Sequence, residues 1–218
     1  MEVESSMTDL YYNTILTKRY NPETWWGDAY QENAGLEEMY ARVNALDPKL
    51  VIDAGCGRNK HKEHIKNLIG IDASPFPEVD INCPILEATF QPNSADVVLA
   101  LGSVQFISRE YIIENMEKLI SWVKPGGLIE MRVLVHDKTA KDWIEQYDRQ
   151  GVKVPWDAEL REYITNQYNL KYLIDPWTYQ ATASIDVIKQ NEHKIKGEGA
   201  MSKRDLKREC WTWRKQNE

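Results

Sequence analysis

Cysteine is scarce in this chain of 218 residues, and long apolar runs are absent from it. The three cysteines, Cys56, Cys83 and Cys210, are odd in number and have no C-x-x-C spacing, so they predict neither a disulfide framework nor a zinc site. No apolar run approaches the roughly 20 residues that a membrane-spanning helix needs, and the acidic first residues have no signal-peptide pattern. We therefore expect a cytoplasmic protein without a metal site or a membrane partner.

Basic residues are in deficit as well. The chain has 27 Lys and Arg against 34 Asp and Glu, which gives a net charge of -7 at pH 7 and argues against binding nucleic acid through the whole surface. The local exception is residues 189–218, where nine basic residues stand against five acidic ones. Lys203, Arg204, Lys207 and Arg208 are expected to share one face of a helix over residues 202–210. That face either guides an anionic substrate or is simply solvated.

Length and composition predict one domain over residues 1–218, because no linker or low-complexity tract divides the chain. Residues 1–35 are expected to form an N-terminal cap, and residues 36–218 the core. Apolar spacing predicts helices at 36–46, 109–123, 139–150 and 157–167, the second capped by Ser108 and stopped by Pro125-Gly126-Gly127. The predicted strands cover residues 50–53, 68–71, 79–82, 97–101, 128–135, 170–174, 184–189 and 209–214.

Two short apolar runs each end in an aspartate. Asp53 is followed by the turn Gly55-Cys56-Gly57, and Asp72 ends the second run. Ligands of parallel sheets bind outside the carboxyl ends of the strands, and glycines there let the backbone approach a ligand closely. An acid at the end of the second strand can hold a ribose diol. The pattern therefore predicts a nucleoside-containing cofactor.

The glycine turn reads D-x-G-x-G, not the dinucleotide pattern G-x-G-x-x-G, which aims a helix N-terminus at a pyrophosphate. Arg58 and Asn59 occupy the positions that follow, and asparagine tolerates the positive φ that would close such a turn. Asp53 beside the cofactor disfavours a phosphate and suits a cation. Valine in place of Gly55 is expected to block the cofactor with little loss of fold.

With these residues the chain resembles the class I S-adenosylmethionine-dependent methyltransferases. Residues 51–57 are similar to the family's first motif, Asp72 to its ribose-binding acid, residues 94–100 to its fourth strand and residues 122–129 to the lead-in to its fifth. The short segment between Gly57 and Ile69 resembles the subgroup whose first crossover is reduced to a turn or a short helix. The resemblance implies an α/β, Rossmann-like fold, with a doubly wound, mostly parallel sheet of seven strands, the last antiparallel, and helices on both faces.

The resemblance also implies S-adenosyl-L-methionine as cofactor. Asp53 would accept hydrogen bonds near its methionine moiety, and Asp72 would accept both ribose hydroxyls; the alternatives are a turn aspartate and a strand-end aspartate. Asn82 and Cys83 would contact the adenine. The family's acid there aligns with Pro84, which cannot do that job, so Asn82 would be its substitute; the alternative is a plain loop residue. The expected cofactor-binding residues are Asp53, Gly55, Cys56, Gly57, Asn59, Asp72, Ala73, Asn82, Cys83 and Gly102. A small residue that fits the tight turn is the expected role of Cys56.

An obvious general base is missing after the fourth strand, where related sequences have His and Glu and this chain has Gly102 to Phe106. His136, just past the fifth strand, is the candidate catalytic base, with a surface histidine as the alternative. His61, His64 and His193 stand among charged residues and are expected to be solvated. Aromatic side chains of the cap would either cover the acceptor pocket or pad the edge of the sheet; they are Tyr11, Tyr12, Tyr20, Trp25 and Trp26.

The expected function is transfer of a methyl group to an unidentified acceptor, either a small molecule or a macromolecule. The sequence does not support nucleic acid as that acceptor, because the N-P-P-Y or N-P-P-F tetrad of amino-methylating DNA enzymes is absent. Two alternatives stay open: a cofactor-binding partner subunit without catalysis, and a different nucleotide-cofactor enzyme on the same fold, such as an oxidoreductase. The sequence says nothing about oligomeric state.

Overall fold

The computed structural model describes residues 36–104, 109–134, 158–173, 178–180 and 207–217. The cap, the predicted segments 139–150 and 184–189, Ser108, His136 and His193 lie outside them. The helices are α1 (Leu36–Ala45), α2 (Arg109–Trp122) and α3 (Ala158–Gln167), with a 3-10 helix at Lys60–Glu63. The strands are β1 (Val51–Ala54), β2 (Leu68–Asp72), β3 (Ile81–Asn82), β4 (Ala95–Leu101), β5 (Val123–Leu134), β6 (Leu170–Leu173), β7 (Thr178–Gln180) and β8 (Lys207–Lys215).

The strands form one sheet in the order β3-β2-β1-β4-β5-β8-β6. Strands β1 to β5 are parallel, and β8 lies antiparallel between β5 and β6. This path has seven strands with the last in sequence antiparallel, so the predicted doubly wound α/β sheet is confirmed. The sequence did not predict β7, which pairs with β8 at Lys207 to Glu209, beyond the residues that pair with β6.

Helices cover both faces of the sheet, and side chains alternate between two apolar clusters because the side-chain period of a strand is two. Ile52 and Val98 face a cluster that contains Ile112 of α2 and Leu160 of α3. Val51, Val97, Leu99 and Leu128 face the opposite cluster, which contains Met39, Tyr40 and Val43 of α1. We call this second side the α1 face. None of the described helices is long and apolar enough to span a bilayer.

The sheet reverses its winding at β1, which pairs with β2 on one side and with β4 on the other. Strand order reverses there because the chain moves outward from β1 to β3 and then returns to the far side of β1. A crevice opens at such a switch point outside the carboxyl ends of the two strands. The residues after β1 and β4, which begin with Gly55 and Gly102, therefore border the expected ligand site.

The segment between β1 and β2 is as short as predicted. Asn59 adopts the left-handed conformation with φ 53°, and the 3-10 helix Lys60–Glu63 is the only helix in residues 55–67. Asn59 therefore closes the glycine turn, as its tolerance of positive φ indicated. At the other end of β1, α1 stops at Ala45, two residues before Asp47-Pro48, because the residue before a proline disfavours the helical region.

The predicted boundary between α2 and β5 was wrong. Val123 was expected to end the helix, but it pairs with Ala95 and begins β5. Val97 then pairs with Leu128, so the residues between Val123 and Leu128 form a bulge in which Gly126 has φ 79°. Proline lacks the N–H that a sheet ladder requires, and the bulge accommodates Pro125 outside that ladder.

The predicted basic helix over residues 202–210 was also wrong where the structure describes it. Lys207 and Arg208 belong to strand β8, so the backbone is extended there and the predicted helix does not reach them. Burial at Trp211 to Trp213 alternates as in a strand: Trp211 and Trp213 are buried on one face of the sheet, and Thr212 between them is buried on the other.

Candidate functional site

The glycine turn after β1 is packed tightly between β2 and β4. Gly55 has φ 78°, and the N–H groups of Gly55 and Cys56 both donate to the Ile71 carbonyl at 2.8 and 3.0 Å. A Cβ added at Gly55 would overlap the Cβ of Ser103 and lie 2.8 Å from its Oγ. The expectation that valine at position 55 leaves the fold intact was therefore wrong. Gly55 is required by the protein itself.

Asp72 has a structural role that the sequence did not reveal. One carboxylate oxygen accepts the Gly57 N–H at 2.8 Å, and the other accepts the Ser74 N–H at 2.7 Å. The carboxylate thus joins the end of β2 to the glycine turn. Each carboxylate oxygen can accept a second hydrogen bond, so Asp72 can still receive two hydroxyl groups of a ligand. Its predicted contact with ribose stays a prediction.

Asp53 is a buried carboxylate that has no hydrogen-bond partner among the described residues. Its side chain lies at the end of β1, is 1% exposed, and neither oxygen accepts a hydrogen bond. Burial raises its pKa to about 7, the Asp72 charge adds to that rise, and Arg132 opposes it. Buried polar atoms are nearly always hydrogen-bonded, so two unpartnered oxygens beside a glycine turn indicate a place for a ligand donor.

Arg132 is a second buried charge on the α1 face, and the sequence analysis missed it. It is 5% exposed, and its Nη2 donates to the Leu101 carbonyl at 3.4 Å, while Nε and Nη1 have no hydrogen-bond partner in the part of the chain that the structure describes. The signal was present in the sequence. Glu130 and Arg132 stand two residues apart in the apolar run of β5, a spacing that puts both on one face of the strand.

Glu130, in contrast, is fully engaged. Its two oxygens accept from Arg42 Nε at 2.9 Å and Arg42 Nη2 at 3.1 Å, and Thr212 Oγ1 donates to the second at 2.8 Å. Arg42 belongs to α1 and Thr212 to β8. This paired contact holds α1 over the sheet, and it leaves Arg132 without Glu130 as an ion-pair partner.

The expectation that His61 is solvated was wrong. His61 is 3% exposed because the 3-10 helix that contains it packs against α1, and its Nδ1 lies 2.8 Å from the Tyr40 hydroxyl. Burial, and to a lesser degree Arg132 and His64, lowers the His61 pKa to about 4. Burial chiefly raises the Tyr40 pKa to about 12. Both groups are neutral near pH 7. His64 is exposed as predicted and stacks on the Tyr40 ring.

Two asparagines expected near the cofactor use their amide nitrogens inside the protein. Asn59 Nδ2 donates to the Glu78 carbonyl at 2.9 Å and to an Asp80 carboxylate oxygen at 3.0 Å. Asn82 Nδ2 donates to the carbonyls of Asp72 and Ser74, both at 2.9 Å. These contacts hold the loops after β2 and before β3. The predicted roles of both residues in cofactor binding stay predictions.

The remaining predicted residues have less specific surroundings. Ala73 follows Asp72 and is half-buried, the Cys83 N–H donates to the Ile81 carbonyl at 3.2 Å, and Gly102 has φ 98° at the end of β4. Burial, the largest of several causes, raises the pKa of the Cys56 thiol. The thiol therefore stays protonated, which fits the expected role of Cys56 as a small turn residue. No group of three or more potential metal ligands occurs in the described ranges.

The structure therefore brings together Asp53, Gly55, Gly57, Asp72 and Gly102 at the carboxyl ends of β1, β2 and β4. It places Asn59 and Asn82 at the border of this region.

No family model and no curated protein matches the sequence, so solved structures are the informative comparison.

One similar structure is 1,6-didemethyltoxoflavin-N1-methyltransferase from Burkholderia thailandensis, with 1,6-didemethyltoxoflavin and S-adenosylhomocysteine bound. The match includes 100% of this chain and 92% of that enzyme, with 14% sequence identity and a TM-score of 0.67. The fold is that of the S-adenosylmethionine-dependent methyltransferases. The chain is also similar in fold to NodS, an N-methyltransferase of Bradyrhizobium japonicum. That match has 15% sequence identity and a TM-score of 0.59, and it includes 93% of this chain and 97% of NodS. The cyclase SpnF matches at 14% identity, 84% and 80% coverage and a TM-score of 0.60.

Proposed function

We propose that this protein is an S-adenosylmethionine-dependent methyltransferase. The observation that carries the proposal is Asp53, a buried carboxylate with two unpartnered oxygens beside the glycine turn at the switch point of the sheet. A positively charged ligand would fill this position favourably, and a pyrophosphate would be repelled by it. The bound S-adenosylhomocysteine in two structural neighbours supports the same ligand class.

The residues of the site fit this cofactor. Asp53 would hold the ammonium end of its methionine moiety, Asp72 its ribose hydroxyls, and the turn of Gly55 and Gly57 would let the backbone approach it. Bound there, S-adenosylmethionine would supply a methyl group on a sulfonium, which is already activated for transfer. The protein then has to orient an acceptor and exclude water, and positioning alone can supply much of the rate acceleration.

An oxygen or amine acceptor also has to lose a proton. Asp53 and Asp72 are assigned to the cofactor, and burial holds His61 neutral with its Nδ1 at the Tyr40 hydroxyl. His136 is therefore the proposed base, and residues 1–35 the proposed cover of the acceptor pocket. The acceptor is a small molecule or a macromolecule. We further propose a single domain and a cytoplasmic location, supported by the free state of Cys56, Cys83 and Cys210.

Calorimetry with S-adenosylhomocysteine and with NAD tests the proposal directly. We expect binding of the first and none of the second. Methyl transfer is then measured with radiolabelled S-adenosylmethionine on cell fractions separated into protein, nucleic acid and small molecules. Label in one fraction identifies the acceptor class, and binding of NAD instead of S-adenosylhomocysteine would contradict the proposal.

A second candidate is a cofactor-binding protein that transfers no methyl group. The specific observation in its favour is the match to SpnF, a cyclase with the same fold. The absence of His and Glu after β4, where Gly102 and Ser103 stand, is consistent with it. Such a protein would bind S-adenosylhomocysteine in calorimetry and yet label no fraction, which separates the two candidates.

Replacing Asp72 with alanine tests the ribose assignment. The change removes two charge-assisted hydrogen bonds to the ribose, so S-adenosylhomocysteine binding should weaken by about 2–3 kcal/mol. The substitution also removes the acceptor for the Gly57 N–H, which could weaken binding by changing the turn. A 2′-deoxyribose analogue separates loss of the ribose contact from this change in the turn. Wild type should discriminate against the analogue, whereas Asp72→Ala should not.

Asn82→Ala is the matched control for this experiment, because it removes two hydrogen bonds from the same loop and keeps the carboxylate. It should preserve the preference for the ribose form. Equal discrimination by wild type and Asp72→Ala would mean that Asp72 only shapes the turn.

A further inference from the structure

Asp53 and Arg132 are buried opposite charges on the α1 face that are not paired with each other. Within the described ranges, Asp53 accepts no hydrogen bond, and Arg132 makes a single long one, to the Leu101 carbonyl at 3.4 Å. Burying a charge without a partner is strongly unfavourable, and a guanidinium cannot relieve the penalty by losing its proton. Two unpaired buried charges in one region do not stabilise the fold, so a ligand that pairs with both explains them better.

The sheet register places the two groups on either side of β4. Asp53 lies beside Leu99, and Leu99 lies beside Glu130 of β5; Arg132 follows Glu130 by two residues on the same face. Two strand spacings separate β1 from β5 by about 10 Å. Because Arg132 donates to the Leu101 carbonyl of β4, its guanidinium reaches back towards β1 and the glycine turn.

The polar groups described nearby do not provide the missing partners. Glu130 accepts from Arg42 and Thr212, and the Tyr40 hydroxyl lies at His61 Nδ1. The ligand that fits the remaining pair carries an ammonium and a carboxylate close together. A zwitterion of this kind turns two unpaired buried charges into two ion pairs and leaves the net charge of the site unchanged.

We propose that Asp53 and Arg132 form a receptor for the amino acid end of the cofactor, in which Arg132 binds the α-carboxylate and Asp53 binds the α-ammonium group. This inference rests on the proposed function and adds Arg132 to the binding site. Arginine suits the role because its planar guanidinium can donate two parallel hydrogen bonds to a carboxylate, and both Nε and Nη1 are available for them.

The test compares S-adenosylhomocysteine with its decarboxylated analogue, which keeps the amine and lacks the carboxylate. Calorimetry should show that Arg132→Met weakens S-adenosylhomocysteine binding by roughly 30- to 100-fold, the range expected for loss of a charge-assisted contact, and leaves the analogue unchanged. Arg132→Lys should retain part of the preference for the ligand with the carboxylate, because lysine keeps the positive charge but cannot donate two parallel hydrogen bonds. An anionic acceptor as the true partner of Arg132 would leave S-adenosylhomocysteine binding intact and would overturn the proposal.

Thermal unfolding of the ligand-free protein gives an independent readout. Arg132→Met should unfold at the same temperature as wild type or higher, because methionine fills the volume without an unpaired charge. Asp80→Asn is the destabilising control: it removes a carboxylate charge that accepts from Asn59 and Gly70 and leaves Glu130 with Arg42, so it should lower the unfolding temperature and keep the preference for the carboxylate.

Two results would show that Arg132 is structural: equal weakening of both ligands in Arg132→Met, or a lower unfolding temperature with the preference unchanged. Failure of the wild type to bind either ligand is a different result, since it would overturn the proposed function and this inference with it.

Discussion

Asp53→Asn should stabilise the ligand-free protein by roughly 2–4 kcal/mol above pH 7, since a pKa difference of one unit corresponds to about 1.4 kcal/mol. Burial raises the Asp53 pKa from 3.8 to about 7 in the folded protein. Below pH 3.8 the carboxyl group is protonated in both states and there is no penalty. Between these values the unfolded state loses its proton first, so stability falls as pH rises, and above pH 7 the penalty is complete.

Urea denaturation of wild type and Asp53→Asn at pH 5 and pH 8 measures this difference, which should be larger at pH 8. Asp80→Asn is a control of opposite sign. Hydrogen bonds from Lys62, Gly70 and Asn59 outweigh burial and lower the Asp80 pKa, so its charge stabilises the fold at neutral pH, and that stability is lost as pH falls. Removing the Asp80 charge should therefore destabilise the protein at pH 8.

The same Asp53→Asn substitution should weaken S-adenosylhomocysteine binding by about tenfold to a hundredfold, because an amide cannot provide the charge that pairs with an ammonium group. Gain of stability together with loss of binding is the behaviour of a residue kept for a ligand. A variant that is less stable than wild type at pH 8 would show that Asp53 has a partner in the folded protein.

Gly55→Ala should destabilise the protein by about 2–5 kcal/mol, the sum of strain at a positive φ and overpacking. Gly55 has φ 78°, and its added Cβ would overlap Ser103. Gly126→Ala is the matched control, because Gly126 has φ 79° and nothing lies within 4 Å of an added Cβ. Strain alone acts there, so the expected loss is about 1–2 kcal/mol. Denaturant unfolding of both variants gives the comparison.

A second substitution isolates the overlap. Ser103→Gly in the Gly55→Ala background removes the Cβ and Oγ that the new methyl group meets. Ser103→Gly alone is the reference, because it also loses the hydrogen bond from Ser103 Oγ to the Ala54 carbonyl. In that background Gly55→Ala should cost only the strain of about 1–2 kcal/mol, as in Gly126→Ala. If Gly55→Ala costs as much in that background as in wild type, the approach of Ser103 to the glycine turn is not what requires a glycine.

The sequence by itself determined the parts of the protein whose signals are local. Asp53, the glycines after it and Asp72 indicated two parallel strands that end at a nucleoside site, and these residues lie together in the structure. The end of α1 before Asp47-Pro48 and the left-handed Asn59 followed from the conformational limits of single residues. Turn chemistry and apolar period act over a few residues, which is why they can be predicted without the fold.

Only the tertiary structure decided which polar side chains are buried and what they contact. His61 stands among charged residues in the sequence, yet α1 covers it, and Arg132 is isolated because Arg42 and Thr212 engage Glu130. The requirement for glycine at position 55 likewise comes from Ser103, which is distant in sequence. Burial and ion pairing depend on elements that the chain brings together from far apart, and the charge of a residue, read from sequence, does not specify its neighbours in space.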